Sequence, residues 1–214
     1  MRAPNLAFVG MPGSGKSYAA RVFSEHHPRR VYLDPLDSAY PGHGQRRGER
    51  WSHVFSGQNW PALCDLMKSG RTFNATLQCA GLSDDEMESM ISDVFGAAKG
   101  TAPVGEWTTV IVEEVGILIP RNTKRGAPVH VALRAGRHPN CSTTVYLVSQ
   151  RAVDLDPTMR ALMDELHVRR QWETRDLAAL NDVQRGLGER AMALDGHDFL
   201  RVKAGRVEHG VMPA

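Results

Sequence analysis

The chain has 214 residues, 42% of them hydrophobic and 23% charged, with a formal net charge of +2. These proportions exclude a disordered or fibrous class, and a charge so near zero excludes a uniformly basic nucleic-acid coat while leaving room for a local basic patch. The length suits a single α/β domain, residues 1–214, large enough to bury most of its apolar surface. Cys64, Cys79 and Cys141 are odd in number and lack C-x-x-C spacing, so buried free thiols are expected and neither a disulfide framework nor a zinc site. No run approaches the ~18 apolar residues of a membrane helix, so the chain reads as a soluble, intracellular protein without a membrane segment.

Leu6-Ala7-Phe8-Val9 is a continuous apolar run, as expected of a strand buried on both faces of a parallel sheet. A Gly-rich loop follows directly, and Ser17 to Glu25 suits a helix that His26-His27-Pro28 stops. The two histidines read as helix-end residues, not ligands. Arg30 to Asp34 is a second strand ending in an acid, which completes a βαβ opening. Pro35 to Gly57 has little periodicity and reads as an irregular surface segment with a weak basic cluster, Arg46, Arg47 and Arg50.

Ser83-Asp84-Asp85-Glu86 fits a capping box, and Met87, Met90, Ile91, Val94, Phe95 and Ala98 then recur at helical spacing. Thr108 to Val112 is another buried strand, ending at Glu113-Glu114. Thr143 to Gln150 is a third long strand with a polar tip. Asp156-Pro157 opens a helix as N-cap and first helical residue, with Met159, Leu162, Met163 and Leu166 on its apolar side. Phe199 to Val207 alternates around a Gly turn like a small hairpin. Strands alternating with helices imply a mostly parallel sheet between helical layers.

Gly10-Met11-Pro12-Gly13-Ser14-Gly15-Lys16-Ser17 has the spacing Gly-x-x-x-x-Gly-Lys-Ser between a strand and a helix. Backbone N–H groups of such a loop turn inward on a polyphosphate, and the helix N-terminus reinforces them. Lys16 is expected to reach the β and γ phosphates, and the Ser17 hydroxyl to complete a Mg²⁺ shell, so ATP and Mg²⁺ are the implied ligands. A chance match in a chain this long is on the order of one in a hundred.

Side chains at the C-terminal end of a buried strand in an open α/β sheet face the ligand crevice. Glu113 is expected to hold the Mg²⁺ water shell, and Glu114 to orient or deprotonate the attacking water, a role that makes the reaction hydrolysis. The division of labour within the pair is open, because Glu113 stands where Asp is usual. Gln150, a neutral and directional amide, is expected to face the γ-phosphate or the lytic water from the next strand.

In this order GMPGSGKS, VYLDPLD, TTVIVEEVG and AGRHPNCSTTVYLVSQRAVDLDPTMRALMDEL resemble the FtsK/HerA superfamily of DNA-pumping ATPases. Within it the likeness is to the small genome-packaging ATPases of tailless and internal-membrane viruses. The resemblance implies a three-layer RecA-like core with the P-loop strand central, assembled as a homo-oligomeric ring, a pentamer or hexamer, around double-stranded DNA. It also implies an arginine supplied to the neighbouring subunit's site, which by position is Arg137 or, as second choice, Arg134. The loop bearing Arg121, Lys124 and Arg125 would meet DNA phosphates, and a capsid-vertex or membrane protein would anchor the ring, in the host cytoplasm or the virion. Three other readings stay open: a small-molecule P-loop kinase, a filamentous-phage assembly ATPase of the zonula-occludens-toxin type, and a nucleotide switch without motor activity.

Overall fold

A computed structural model describes residues 3–37, 53–99, 101–103, 106–119, 128–135 and 142–212. The clusters Arg46, Arg47, Arg50 and Arg121, Lys124, Arg125, together with Arg137 and Cys141, lie outside the described residues. In chain order the elements are β1 (Leu6–Val9), α1 (Lys16–Ser24), β2 (Arg29–Asp34), β3 (His53–Ser56), α2 (Trp60–Lys68), β4 (Phe73–Gln78), α3 (Asp84–Ala98), β5 (Thr108–Val112) and α4 (Val115–Leu118). They continue with α5 (Pro128–Ala135), β6 (Thr143–Ser149), α6 (Pro157–Leu162), β7 (Glu165–Val168), α7 (Thr174–Val183), α8 (Leu187–Met192), β8 (Asp198–Lys203) and β9 (Arg206–Val211).

The strands form one nine-stranded sheet in the order β3-β4-β2-β5-β6-β1-β7-β8-β9. All pairings from β3 to β7 are parallel, and β8 and β9 add antiparallel to the β7 edge. β1, β2, β5 and β6 are buried throughout, as apolar runs covered on both faces must be. One face packs on α1 through Leu6, Phe8, Ala19, Ala20, Tyr32, Ile111, Tyr146 and Val148. The other carries the larger core, in which Val9, Leu33, Val112 and Leu147 meet residues of α2, α3, α5, α6, α7 and α8. This is the expected three-layer α/β architecture with a mostly parallel sheet. The C-terminal hairpin also forms, but as an extension of the main sheet, turning at Ala204-Gly205 with φ of 48° and 74°.

α3 begins where the capping box puts it, with Ser83 accepting from the Glu86 amide and Glu86 reaching back to Ser83. Several expectations need correction. The stretch 35–57 is not irregular throughout, since its end forms β3, and α2 and β4 had no counterpart in the pattern. β3 lies at a sheet edge with His53, Val54 and Ser56 exposed, so it lacks the buried apolar run that marks the central strands. The helix opened by Asp156 ends at Leu162, and Leu166 belongs to β7. β7 hides its identity because Glu165 is buried on one face, where Arg201 meets it at 2.8 Å through two nitrogens and Lys203 at 2.8 Å. A charge satisfied across strands leaves no hydrophobic periodicity to read.

Asp156 joins two elements. Its Oδ1 accepts the Met159 amide at 2.9 Å and its Oδ2 lies 2.8 Å from His130 Nε2 in α5. Asp156→Ala loses the cap and a buried partner at once, and should destabilise the fold by about 2 kcal/mol or more. Asp156→Asn, which can still cap, should cost less; urea unfolding of both variants checks the order.

Candidate nucleotide-binding and hydrolysis site

The Gly-rich loop lies at the C-terminal end of β1, the sixth strand of the nine. Gly10 has φ 155°, and a Cβ there would stand 2.3 Å from Cβ of Arg169, so no side chain fits between the loop and the segment after β7. Gly15 caps α1 in the left-handed conformation, φ 84°, which directs the first amides of the helix into the loop. The Met11 carbonyl accepts from Ser14 Oγ at 2.7 Å and from Lys16 Nζ at 2.9 Å. Lys16 is only 6% exposed. Burial lowers its pKa, while the charges of Glu114 and Glu113 act against that shift, so lysine and acids share one electrostatic environment.

β5 delivers the acids to the same end of the sheet. Glu113 is 3% exposed, its Oε2 accepts from Ser17 Oγ at 3.0 Å, and its Oε1 is buried without a hydrogen-bond partner. Burial pushes its pKa up from 4.5 to about 8. A hydroxyl and an orphaned carboxylate oxygen are the hard oxygen donors that suit Mg²⁺, which takes one or two protein ligands beside phosphate oxygens. When bound there with a nucleotide, Mg²⁺ would neutralise phosphate charge and favour the ionised form of Glu113. Among the described residues no group of three His, Cys, Asp or Glu is gathered as a metal cluster.

Glu114 follows with φ 44° and ψ 60°, a left-handed conformation that a side-chain-bearing residue adopts at a cost of roughly 1 kcal/mol. The turn swings the chain off β5 into α4 and leaves Glu114 facing β6. There Gln150 Nε2 donates to Glu114 Oε1 at 2.9 Å. The β6 tip is held from below: Ser149 Oγ donates to Asp154 Oδ2 at 2.7 Å, and Asp176 accepts from Arg151 Nε and the Val153 amide. Gly116 in α4 packs so closely on Asp154 that a Cβ would lie 2.7 Å from its carboxyl carbon.

The structure thus gathers Gly10 to Ser17, Glu113, Glu114 and Gln150 at one end of three neighbouring strands. It does not bring Arg134 to them. Arg134 is exposed in the last turn of α5, where the preceding Leu133 carbonyl accepts from Asn5, the residue before β1 and therefore at the opposite end of the sheet. Arg121, Lys124, Arg125 and Arg137 fall outside the described residues. His27 lies just past the end of α1 with its Nδ1 2.7 Å from Thr109 Oγ1, and burial lowers its pKa to about 4. Cys64 and Cys79 are buried free thiols, as their spacing implies.

Sequence reading missed the segment after β7. Arg169 donates its amide to Val9 and its Nη1 to the His197 carbonyl, the Arg170 carbonyl accepts the Met11 amide at 3.1 Å, and Gln171 Nε2 donates to the Gln150 carbonyl at 3.0 Å. Once Glu165 to Val168 is seen as a strand, its C-terminal tip is the signal that points to these residues.

An open parallel sheet with a phosphate loop after a central strand and acids after the next strand but one defines a P-loop NTPase fold. Neither the protein-family profiles nor the curated sequences compared with the chain gave a match. Solved structures did. The genome packaging NTPase B204 of Sulfolobus turreted icosahedral virus 2, in complex with ATP-gammaS, is similar with a TM-score of 0.71 at 17% identity, over 98% of this chain and 97% of that one. B204 of Sulfolobus turreted icosahedral virus, described as a DNA-packaging ATPase, gives 0.67 at 17% over 99% and 98%. VirB4 of Thermoanaerobacter pseudethanolicus gives 0.65 at 12% over 98% and 89%. These likenesses bear out the fold implied by the motifs.

Glu113 makes ligand-free stability pH-dependent. Its carboxyl is protonated in the folded chain and ionised in the unfolded chain between pH 4.5 and about 8, so stability is undiminished below pH 4.5, falls as pH rises through this window, and levels off above it. Glu113→Gln should therefore melt higher than the wild type at pH 8.5 without nucleotide, by a margin that narrows at pH 6. A constant margin would show that the carboxyl is not held protonated. The Glu114 turn has its own test: Glu114→Gly should be more stable than Glu114→Ala by about 1 kcal/mol in urea unfolding, since only glycine accepts φ 44° freely.

Proposed function

We propose that this protein is an ATP hydrolase that works as a genome-packaging motor, moving double-stranded DNA. The observation that carries the hydrolase reading is the 3.0 Å contact between Ser17 and Glu113, because it sets the loop's own hydroxyl against the acid strand with Glu114 and Gln150 alongside. On this reading Lys16 leaves the Met11 carbonyl for the β and γ phosphates, and the loop amides and α1 N-terminus take the remaining charge. Ser17 and Glu113 hold Mg²⁺, directly or through its waters. Glu114, fixed by Gln150, accepts a proton from the attacking water or aims it, and Gln150 reports the presence of the γ-phosphate to β6. Arg137, or Arg134 in its place, enters the neighbouring subunit's site and steadies charge on the transferred phosphoryl group, coupling hydrolysis to the ring. That Arg134 stands away from its own cradle is compatible with action in trans.

The packaging role rests on the likeness in fold to B204 along nearly the full length of both chains, joined with the ordered motifs. Arg121, Lys124 and Arg125 lie in sequence between α4, which follows Glu114, and α5, and on this reading they contact DNA phosphates. No helix among the described residues is long and apolar enough to cross a membrane. On this reading a capsid-vertex or membrane protein anchors the ring, in the host cytoplasm or at the virion vertex. Phosphate release should rise when duplex DNA is added and lose the gain at high salt. Lys16→Ala should abolish nucleotide binding, and Glu114→Gln should bind ATP yet hydrolyse it at least a hundredfold more slowly. Phosphate transfer to nucleoside monophosphates would mean a kinase, and a rate indifferent to DNA would remove the motor.

A further inference from the structure

Trp172 is 55% exposed, an unusual position for the largest apolar side chain, and it directly follows a segment that touches the Gly-rich loop. The segment leading to it is fastened there at three points. Arg169 packs against Gly10 with no room for a Cβ, the Arg170 carbonyl accepts the Met11 amide at 3.1 Å, and Gln171 donates to the Gln150 carbonyl at 3.0 Å. The Arg170 guanidinium stands 6.0 Å from the centre of the Trp172 ring, with its Nη1 3.5 Å from Asp195 Oδ1. An exposed indole flanked by a cation, on a backbone tied to the loop, is a ready flat surface with an electron-rich face.

The strand order gives this surface a direction. Glu113, Glu114 and Gln150 follow β5 and β6, on one side of β1, and Arg169 to Trp172 follow β7, on the other. A triphosphate in the cradle must present its terminal phosphate to the carboxylates and the amide for hydrolysis to proceed. Its nucleoside end therefore leaves toward β7, after which Trp172 offers an exposed aromatic ring. We propose that Trp172, with Arg170 beside it, is the stacking platform for the nucleobase of the bound nucleoside triphosphate. The assignment rests on the reading of Gly10 to Ser17 as the triphosphate cradle. Stacking on an indole is indifferent to hydrogen-bonding edges, so the platform accepts either purine and holds pyrimidines less well.

The test separates base from phosphate by titrating ATP and inorganic tripolyphosphate calorimetrically into the full chain and its variants. Trp172→Ala should weaken ATP about tenfold while leaving tripolyphosphate unchanged. Trp172→Phe should recover most of the loss, and Trp172→Leu, which keeps apolar bulk without a ring, should not. Equal losses of ATP and tripolyphosphate in both Trp172→Ala and Trp172→Leu would overturn the platform, and so would unchanged ATP affinity, including the case in which only the oligomeric mass changes and Trp172 proves to be a subunit contact. If the wild type binds neither ligand, the cradle reading itself fails, an outcome distinct from wild-type binding of both with no response to Trp172.

Discussion

The Ser17–Glu113 contact joins residues 96 positions apart in the chain, and the geometry of the site depends on it. It requires β1 and β5 to run in the same direction with β6 between them, so that a loop and an acid contributed by separate strands meet. The parallel register sets the offset: Ala7 of β1 and Val112 of β5 both pair with Leu147 of β6, so β5 stops two residues short of the end of β1 and Glu113 follows directly. The carboxylate sits almost wholly out of water, where ionisation is unfavourable until positive charge arrives. On the proposal that the loop is a phosphate cradle, a ligand-free site built this way is poised for a metal-bearing polyphosphate and slightly unstable without one.

The same economy appears at Glu114. A left-handed backbone at a residue with a side chain is retained because it turns the carboxylate toward Gln150 at the moment the chain leaves β5. Below it, Asp154 and Asp176 clamp the β6 tip from elements that contribute nothing to the cradle itself. The rigidity of the acid pair and its amide partner thus comes from the loop after β6 and from α7, and a shift of either element would be felt at Gln150 and Glu114. The two sides of β1 differ: the β6 side carries Glu113, Glu114 and Gln150, and the β7 side carries the segment that closes on the first glycine.

How much of this was legible in the chain varied with the kind of signal. Gly10 to Ser17 declares itself because conformational freedom, a lysine and a hydroxyl are needed at fixed spacing, whatever surrounds them. β1, β5 and β6 are legible as unbroken apolar runs, and α3 through its capping box. β3 was not, being an exposed edge strand; nor was β7, whose Glu165 and His167 are polar residues buried only because Arg201, Lys203 and the rings of Phe8 and Phe199 receive them. Misreading β7 as the end of a helix concealed Arg169 to Trp172.

The sequence by itself determined the local chemistry: a loop able to hold a polyphosphate, two acids at the end of a buried strand, an amide at the end of another, and an α/β chain to carry them. Only the tertiary structure decided which of these meet, on which side of β1 each lies, that Arg134 stands away from the Gly-rich loop, and that the segment after β7 closes on Gly10. The physical reason is that backbone propensity and hydrophobic pattern are short-range properties, whereas strand order, a buried carboxylate's ionisation and a cross-strand ion pair depend on residues far apart in the chain.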